Sequence, residues 1–146
     1  MTDTIKSFTD KYRFLSNFWP AQVLFDGVTY LSVEHAYVAS KTLCLETRAK
    51  ITKIHSPGQV KRYGRTLVLR PDWDDVKLGI MRQLVTSKFS SHHLAQLLLA
   101  TGDAELIEGN TWGDKFWGVC RGEGSNHLGK ILMDVRAQIR ADRKAV

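Results

Sequence analysis

Apolar positions recur at helical spacing in two long stretches of this 146-residue chain. Trp73, Val76, Ile80, Met81, Leu84, Val85 and Phe89 form one stripe. Leu128, Ile131, Leu132, Val135 and Ile139 fall at i, i+3, i+4, i+7 and i+11 of the other. These patterns predict scaffold helices over 73–89 and 127–141, the second fraying into a basic tail. Asp72 is the expected cap of the first, with Asp75 near its positive end.

Shorter patterns fill in the rest. Runs 23–25 and 28–30 flank Asp26–Gly27, a two-residue hairpin signal. A helix over 33–44 follows, with Ser32 as its cap, and a second is expected over 47–54. A third begins at Ser56, with Pro57 in the first position and Gln59 completing a capping box, and ends near Gly64. A further apolar helix over 94–100 stops at Gly102. Short strands are expected over 5–8 and 105–108, and 66–69 reads as a connector or strand. Residues 12–20 read as an aromatic-rich loop, and 110–119 as a Gly/Trp loop leading into a strand. Gly122, Gly124, Ser125 and Asn126 read as a flexible turn. The sum is an α+β fold, predominantly helical, with a small sheet or hairpin. We expect one domain over 1–146, with its core at about 5–141.

Composition narrows the class. Hydrophobic residues at 43% and charged residues at 25% are those of an ordinary globular chain. No apolar run reaches the roughly 20 residues that cross a bilayer. The start, MTDTIKSFTD, has neither a secretory nor a transit-peptide pattern, so no membrane association and a cytoplasmic location are expected. Cys44 and Cys120 form no metal-ligand spacing, and His92–His93 reads as surface, so no metal or other cofactor is expected. The net charge of +6 is uneven. Lys41, Arg48, Lys50, Lys53, Lys61, Arg62, Arg65 and Arg70 face only Glu46 in that stretch. Such clustering suits nucleic acid or phosphorylated small molecules, and equally suits a solvated helix surface.

The candidate chemistry sits on the helix after the hairpin. Glu34, Tyr37, Val38 and Lys41 share one face at i, i+3, i+4 and i+7. A carboxylate, a phenol and an amine stand where a core helix would carry aliphatics. Glu34 alone also suits the helix dipole. Lys41 also suits solvent, and Asp114 a turn bonding its own backbone. In the first aromatic loop Arg13, Ser16 and Asn17 interleave with Phe14, Phe18 and Trp19, an arrangement that serves either a ligand loop or core packing.

The ordered segments FLSNFWP, SVEHAYVASK, SPGQVKRYGR, LRPDWDDVK, LLLATGDAELIEGNTWGDKFWGV and NHLGKILMDVR resemble the YbiA-like, or NADAR, family from about Phe14 to Arg140. Val38 departs from the pattern, standing where the family often carries glutamine. The resemblance implies hydrolysis of an N-glycosidic bond between ribose C1 and a base nitrogen. Its substrates would be ADP-ribose on guanine in nucleic acid, or phosphorylated ribosylamino-pyrimidine intermediates of riboflavin synthesis. It implies functional pairing with a DNA ADP-ribosyltransferase. It makes Glu34 and Asp114 the functional carboxylates, and Tyr37, Trp73, Trp112, Gly113 and Trp117 pocket residues. Arg13, Ser16, Asn17 and Phe18 would bind substrate through the first loop. Lys41, two turns from Glu34, would attack C1 as a Schiff-base nucleophile or act as a fixed cation. A non-catalytic ADP-ribose or nucleic-acid binding module is the alternative of another class. Glu34, Lys41 and Asp114 together argue against it, since a binder needs no acid–amine pair.

Overall fold

A computed structural model describes residues 3–145, so residues 1, 2 and 146 of the expected domain lie outside the described residues. In chain order the elements begin with β1 (Thr4–Ile5), a 3₁₀ helix (Asp10–Leu15), β2 (Val23–Phe25) and β3 (Val28–Tyr30). The helices α1 (Val33–Ser40), α2 (Leu45–Ile51), α3 (Pro57–Gly64), α4 (Trp73–Lys88) and α5 (His92–Leu99) follow. The chain closes with β4 (Glu105–Leu106), β5 (Gly109–Asn110), β6 (Val119–Cys120) and α6 (His127–Lys144). Helix predominates, and each sheet has two strands, so the fold is the expected α+β class. No described helix is long and apolar enough to cross a membrane. Two compact units are formed, one from Asn17–Lys88 and the other from the chain before and after it.

In the Asn17–Lys88 unit, Asp26 and Gly27 take φ of 47° and 80°, the left-handed pair a tight hairpin turn needs. They hold β2 antiparallel to β3, with Val23 opposite Tyr30. Helix α1 packs against α2, α3, α4 and the hairpin. Its Val33, Ala36, Val38 and Ala39 are fully enclosed, and the α4 stripe buries Trp73, Ile80, Met81, Leu84 and Val85. Ser32 caps α1 by accepting the His35 N–H at 3.1 Å, and Ser56 caps α3 through Gln59.

Two expected helices in this unit shift their bounds, and one expected cap is replaced. Helix α1 stops at Ser40 rather than residue 44, because the buried Arg48 Nε donates to the carbonyls of Ala39 (3.1 Å) and Thr42 (2.9 Å). That guanidinium satisfies carbonyls another helical turn would have used. Helix α2 runs over Leu45–Ile51 rather than 47–54, closing in tight turns in which the Lys53 and Ile54 N–H groups donate to the Lys50 and Ile51 carbonyls, while the Ile54 carbonyl accepts from the buried His35 ring at 2.7 Å. Asp72 does not cap α4 through its side chain: its two oxygens take a bidentate bond from Arg70 at 2.6 and 3.0 Å. Residues 66–69 form a connector.

In the second unit β1 lies parallel to β4, with Ile5 beside Leu106, and β5 parallel to β6. Helix α6 packs on α5 and β4. Buried Arg136 donates to Thr101 Oγ1 (2.8 Å) and the Ala104 carbonyl (2.9 Å), fixing the turn between α5 and β4. The strands expected over 5–8 and 105–108 are only two residues long and begin at Thr4 and Glu105. Part of the expected 12–20 loop is a 3₁₀ helix that buries Phe14 and Leu15. Helix α5 starts at His92, two residues early, because Ser91 supplies its cap. The turn at 122–126 is pinned rather than flexible. Buried Asn126 donates to the Leu106 carbonyl at 2.9 Å and accepts from the Glu108 N–H at 3.0 Å. The expected fraying tail is helical through Lys144.

Candidate active site

Within α1 only Glu34 and Tyr37 escape full burial, and Lys41 caps the helix end half-buried. The three follow one edge at i, i+3 and i+7, so the polar edge expected from spacing is the edge the fold leaves accessible. Lys41 Nζ lies 5.2 Å from the Tyr37 ring centroid, and the Trp73 ring packs behind Tyr37 at 5.3 Å with a 55° tilt. Trp73 is buried and therefore backs Tyr37 rather than presenting an open face. Asn17 anchors the start of α1: its carbonyl accepts the Glu34 N–H at 3.0 Å, and its amide reaches Met81 Sδ at 3.6 Å. Phe18, 39% exposed, presents its ring to Lys61 Nζ at 5.8 Å.

Electrostatics at this edge favour a less basic amine. Burial is the largest influence and lowers the Lys41 pKa; Glu34 raises it, while Lys61 and Arg65 lower it further. The direction is downward from 10.5.

The remaining predicted residues belong to the second unit. Arg13 is exposed in the last turn of the 3₁₀ helix, and Ser16 caps that helix by donating its N–H to the Arg13 carbonyl at 3.0 Å. Asp114 performs the turn role that its position allowed. Its Oδ1 accepts the backbone N–H of Phe116 (3.1 Å) and Trp117 (2.9 Å). Asn110 stands at the centre of this loop: its Oδ1 accepts the Asp114 N–H at 3.0 Å, and its Nδ2 donates to Glu108 Oε2 at 2.9 Å and the Asp114 carbonyl at 2.8 Å. The carbonyls of Phe116 and Trp117 then accept the His127 and Leu128 N–H groups, which have no partner inside α6. Trp112 is 62% exposed beside Gly113, whose φ of 88° suits glycine. Trp117 is half-buried, edge-on to Phe116 at 4.8 Å.

The family model for the NADAR domain matches residues 5–140, which is most of the chain and runs through both units. N-glycosidase YbiA of Escherichia coli (strain K12) is 40% identical over 152 residues, covering 98% of this chain and 93% of that protein. This chain belongs to the NADAR family. The NMR structure of the E. coli protein YbiA superimposes with a TM-score of 0.84 at 38% identity, covering 98% of this chain and 89% of that one. An N-glycosidase of Nostoc punctiforme is 42% identical over 136 residues, covering 88% of this chain and 86% of its own. A riboflavin biosynthesis protein of Vibrio vulnificus is 37% identical over 134 residues, covering 89% of this chain and 36% of that longer protein. The N-glycosidase names of the full-length relatives support action on N-glycosyl bonds as the class of activity.

For a NADAR chain, three further residues stand out that the motif reading passed over. Glu108, expected only as a strand end, places its carboxylate on Asn110, and a Cβ on Gly118 would collide with it. Lys88 ends α4 almost fully enclosed, and burial pushes its amine down to about 7. Its signal was present, since it continues the apolar stripe one turn beyond Leu84. Asn110 carried no such signal, because an asparagine in a Gly/Trp loop reads as turn chemistry. Val38 is fully enclosed where α1 meets α3.

Proposed function

We propose that this chain hydrolyses the bond between ribose C1 and a base nitrogen, with ADP-ribosyl-guanine in nucleic acid or nucleotides as its preferred substrate. The observation that carries this reading is the accessible edge of α1, where a carboxylate and an amine of lowered basicity flank an aromatic ring. Cleavage builds positive charge at C1 and negative charge on the departing nitrogen. Glu34 is placed in the role of proton carrier, and Tyr37 in that of a stacking surface.

Lys41 acts as the nucleophile. Its neutral amine adds to C1 of the ring-opened ribose, which is there doubly bonded to the base nitrogen, and the C1–base bond then breaks to leave the C1=Nζ imine. Both protons lost by the amine pass through Glu34 to the base nitrogen. Water then adds across the C1=Nζ imine, returning ribose and the free amine. In the other unit, Asp114 shapes the Trp112–Trp117 loop. An enzyme of this specificity works opposite a DNA ADP-ribosyltransferase, which supplies the linkage it removes.

A second reading has its own support. The Vibrio relative is named for riboflavin biosynthesis, which favours a phosphorylated ribosylamino-pyrimidine as substrate. Incubation of the pure protein with ADP-ribosylated guanine DNA and with that pyrimidine phosphate separates the two. Release of ADP-ribose from DNA supports the first reading, and release of ribose phosphate alone supports the second. Binding without release sinks both and leaves a binding module. Borohydride during turnover should trap a protein–ribose adduct that is absent in Lys41→Arg. Normal activity of wild type with no adduct would leave Lys41 as a fixed cation. Glu34→Gln should abolish turnover while costing about 1 kcal/mol of stability or less.

A further inference from the structure

Helix α1 ends without the glycine that closes many helices. Lys41, at its C-terminal cap, keeps right-handed helical backbone, and Thr42, Leu43 and Cys44 follow it. Carbonyls at that end are taken from outside the helix. Arg48 of α2 donates its single Nε–H to Ala39 and Thr42, so carbonyls on both sides of Lys41 converge on one hydrogen. The Lys41 carbonyl itself accepts the Arg70 N–H at 2.8 Å.

The guanidinium is held in turn by the hairpin. Its Nη1 donates to Asp26 Oδ2 at 2.8 Å, and its Cζ lies 5.1 Å from the Phe25 ring centroid. This is a costly way to close a helix. Arg48 is buried, it pairs with a carboxylate whose side chain is 56% exposed, and its Nη2 has no hydrogen-bond partner among the described residues. A local glycine cap would satisfy helix-end carbonyls with no buried charge. What the arginine adds is place, because it ties the end of α1 to a separate element. Lys41 leaves the helix at that end, half-buried, with Nζ 5.2 Å from the Tyr37 ring centroid. A helix end that frayed would swing Lys41 off this edge and wet its stem.

We propose that Arg48 is a positioning residue: by tying the carbonyls on either side of Lys41 to the Phe25–Asp26 end of the hairpin, it holds the Lys41 amine against Tyr37. The proposal rests on reading Lys41 as the reacting amine, and Arg48, being buried, acts through Lys41.

The test uses two variants. Arg48→Lys keeps a charge for Asp26 and has no mid-chain N–H for the carbonyls. Asp26→Asn removes the charge that anchors the guanidinium and leaves a residue suited to the positive φ of the turn. Ile51→Val, buried on the same helix as Arg48, is the control for lost stability alone. Each is measured well below its unfolding temperature, by kcat and KM on ADP-ribosylated guanine DNA and on the ribosylamino-pyrimidine phosphate. A second readout needs no turnover: the pH at which acetic anhydride labels Lys41 half-maximally, read by mass spectrometry. Burial is the largest influence on that amine, and Glu34, Lys61 and Arg65, which also act on it, are untouched by these substitutions.

Arg48→Lys should lose about tenfold or more in kcat with KM within about twofold. Its labelling midpoint should rise by about half a pH unit or more, toward the value of a solvated lysine. Asp26→Asn should move both in the same direction by less, and Ile51→Val should move neither. Wild-type kcat and labelling in Arg48→Lys, or equal changes in Ile51→Val, overturn the proposal. A fall in kcat with unchanged labelling also overturns it, since Arg48 would then act other than through Lys41. Should Arg48→Lys fail to fold, Asp26→Asn decides by the same two measures. A labelling shift at full kcat upholds the hold on Lys41 and sinks Lys41 as the reacting amine. If wild type turns over neither substrate, the ribosyl-site reading fails by itself, and labelling alone decides this one: a raised midpoint in the variants upholds the hold, and an unchanged one overturns it.

Discussion

Asp114 shows how one side chain can satisfy a turn and still be a candidate for the reaction. Its Oδ1 accepts two backbone N–H groups, and Asn110 ties the same loop from the other side. Charge and hydrogen bonding can therefore be separated. Asp114→Asn keeps an acceptor oxygen and loses the charge, whereas Asp114→Ala loses both. The alanine variant should lose about 1–3 kcal/mol in chemical denaturation, with the asparagine variant close to wild type. If Asp114→Asn keeps full turnover, Asp114 serves the loop alone; if it folds normally and is inactive, its charge is needed in the reaction.

Helix α1 owes both its length and its position to neighbouring elements. Arg48 of α2 ends it by taking its carbonyls, and α3 sets its depth through the contact of Gly64 with Val38. Val38 is β-branched and fully enclosed, so it has little freedom to yield. Gly64→Ala should therefore cost about 1–3 kcal/mol despite alanine's better helix propensity. Adding Val38→Ala should recover part of that loss in a double-mutant cycle. Simple additivity of the two substitutions would show that the helices are not in the close contact described. Glutamine in place of Val38 would have to fit this same enclosed seam.

Across the whole molecule two buried bases set the pH dependence of stability. The His35 Nε2–H donates to the Ile54 carbonyl, so its Nδ1 accepts the Ser32 hydroxyl at 2.7 Å and the ring is neutral. Burial is the first cause of its pKa falling below 6.5, and Lys88 falls from 10.5 to about 7. In both cases the unfolded chain takes up a proton at a pH where the folded chain does not. The contribution of His35 is complete above 6.5 and is lost as pH falls below that value. For Lys88 it is complete above 10.5 and declines as pH falls toward 7. Denaturation midpoints should thus rise between about pH 7 and 9.5, with a flatter slope in Lys88→Met. An equal slope in that variant would mean that Lys88 keeps its proton when buried. The net charge of +6 has a separate consequence. On an ADP-ribosylated DNA, kcat/KM should fall about tenfold or more between roughly 50 and 200 mM salt. A modified mononucleotide should lose far less, and equal losses would count against nucleic-acid contact beyond the modified base.

Much of this protein was legible without coordinates. The two amphipathic stripes, the Asp26–Gly27 hairpin and the Ser32 and Ser56 caps are local codes, written within one or two helical turns. So was the polar edge of Glu34, Tyr37 and Lys41, because helical periodicity alone puts those residues in line. The ordered motifs carried the family. Tertiary structure decided where long-range partners compete for local groups. Arg48 ended α1 early, Arg70 drew Asp72 away from its cap, and Asn126 stiffened a glycine-rich turn. It also took Arg48 out of the exposed basic surface, since its burial depends on how the helices pack. Periodicity fixes which side chains share a face, and packing fixes what that face meets.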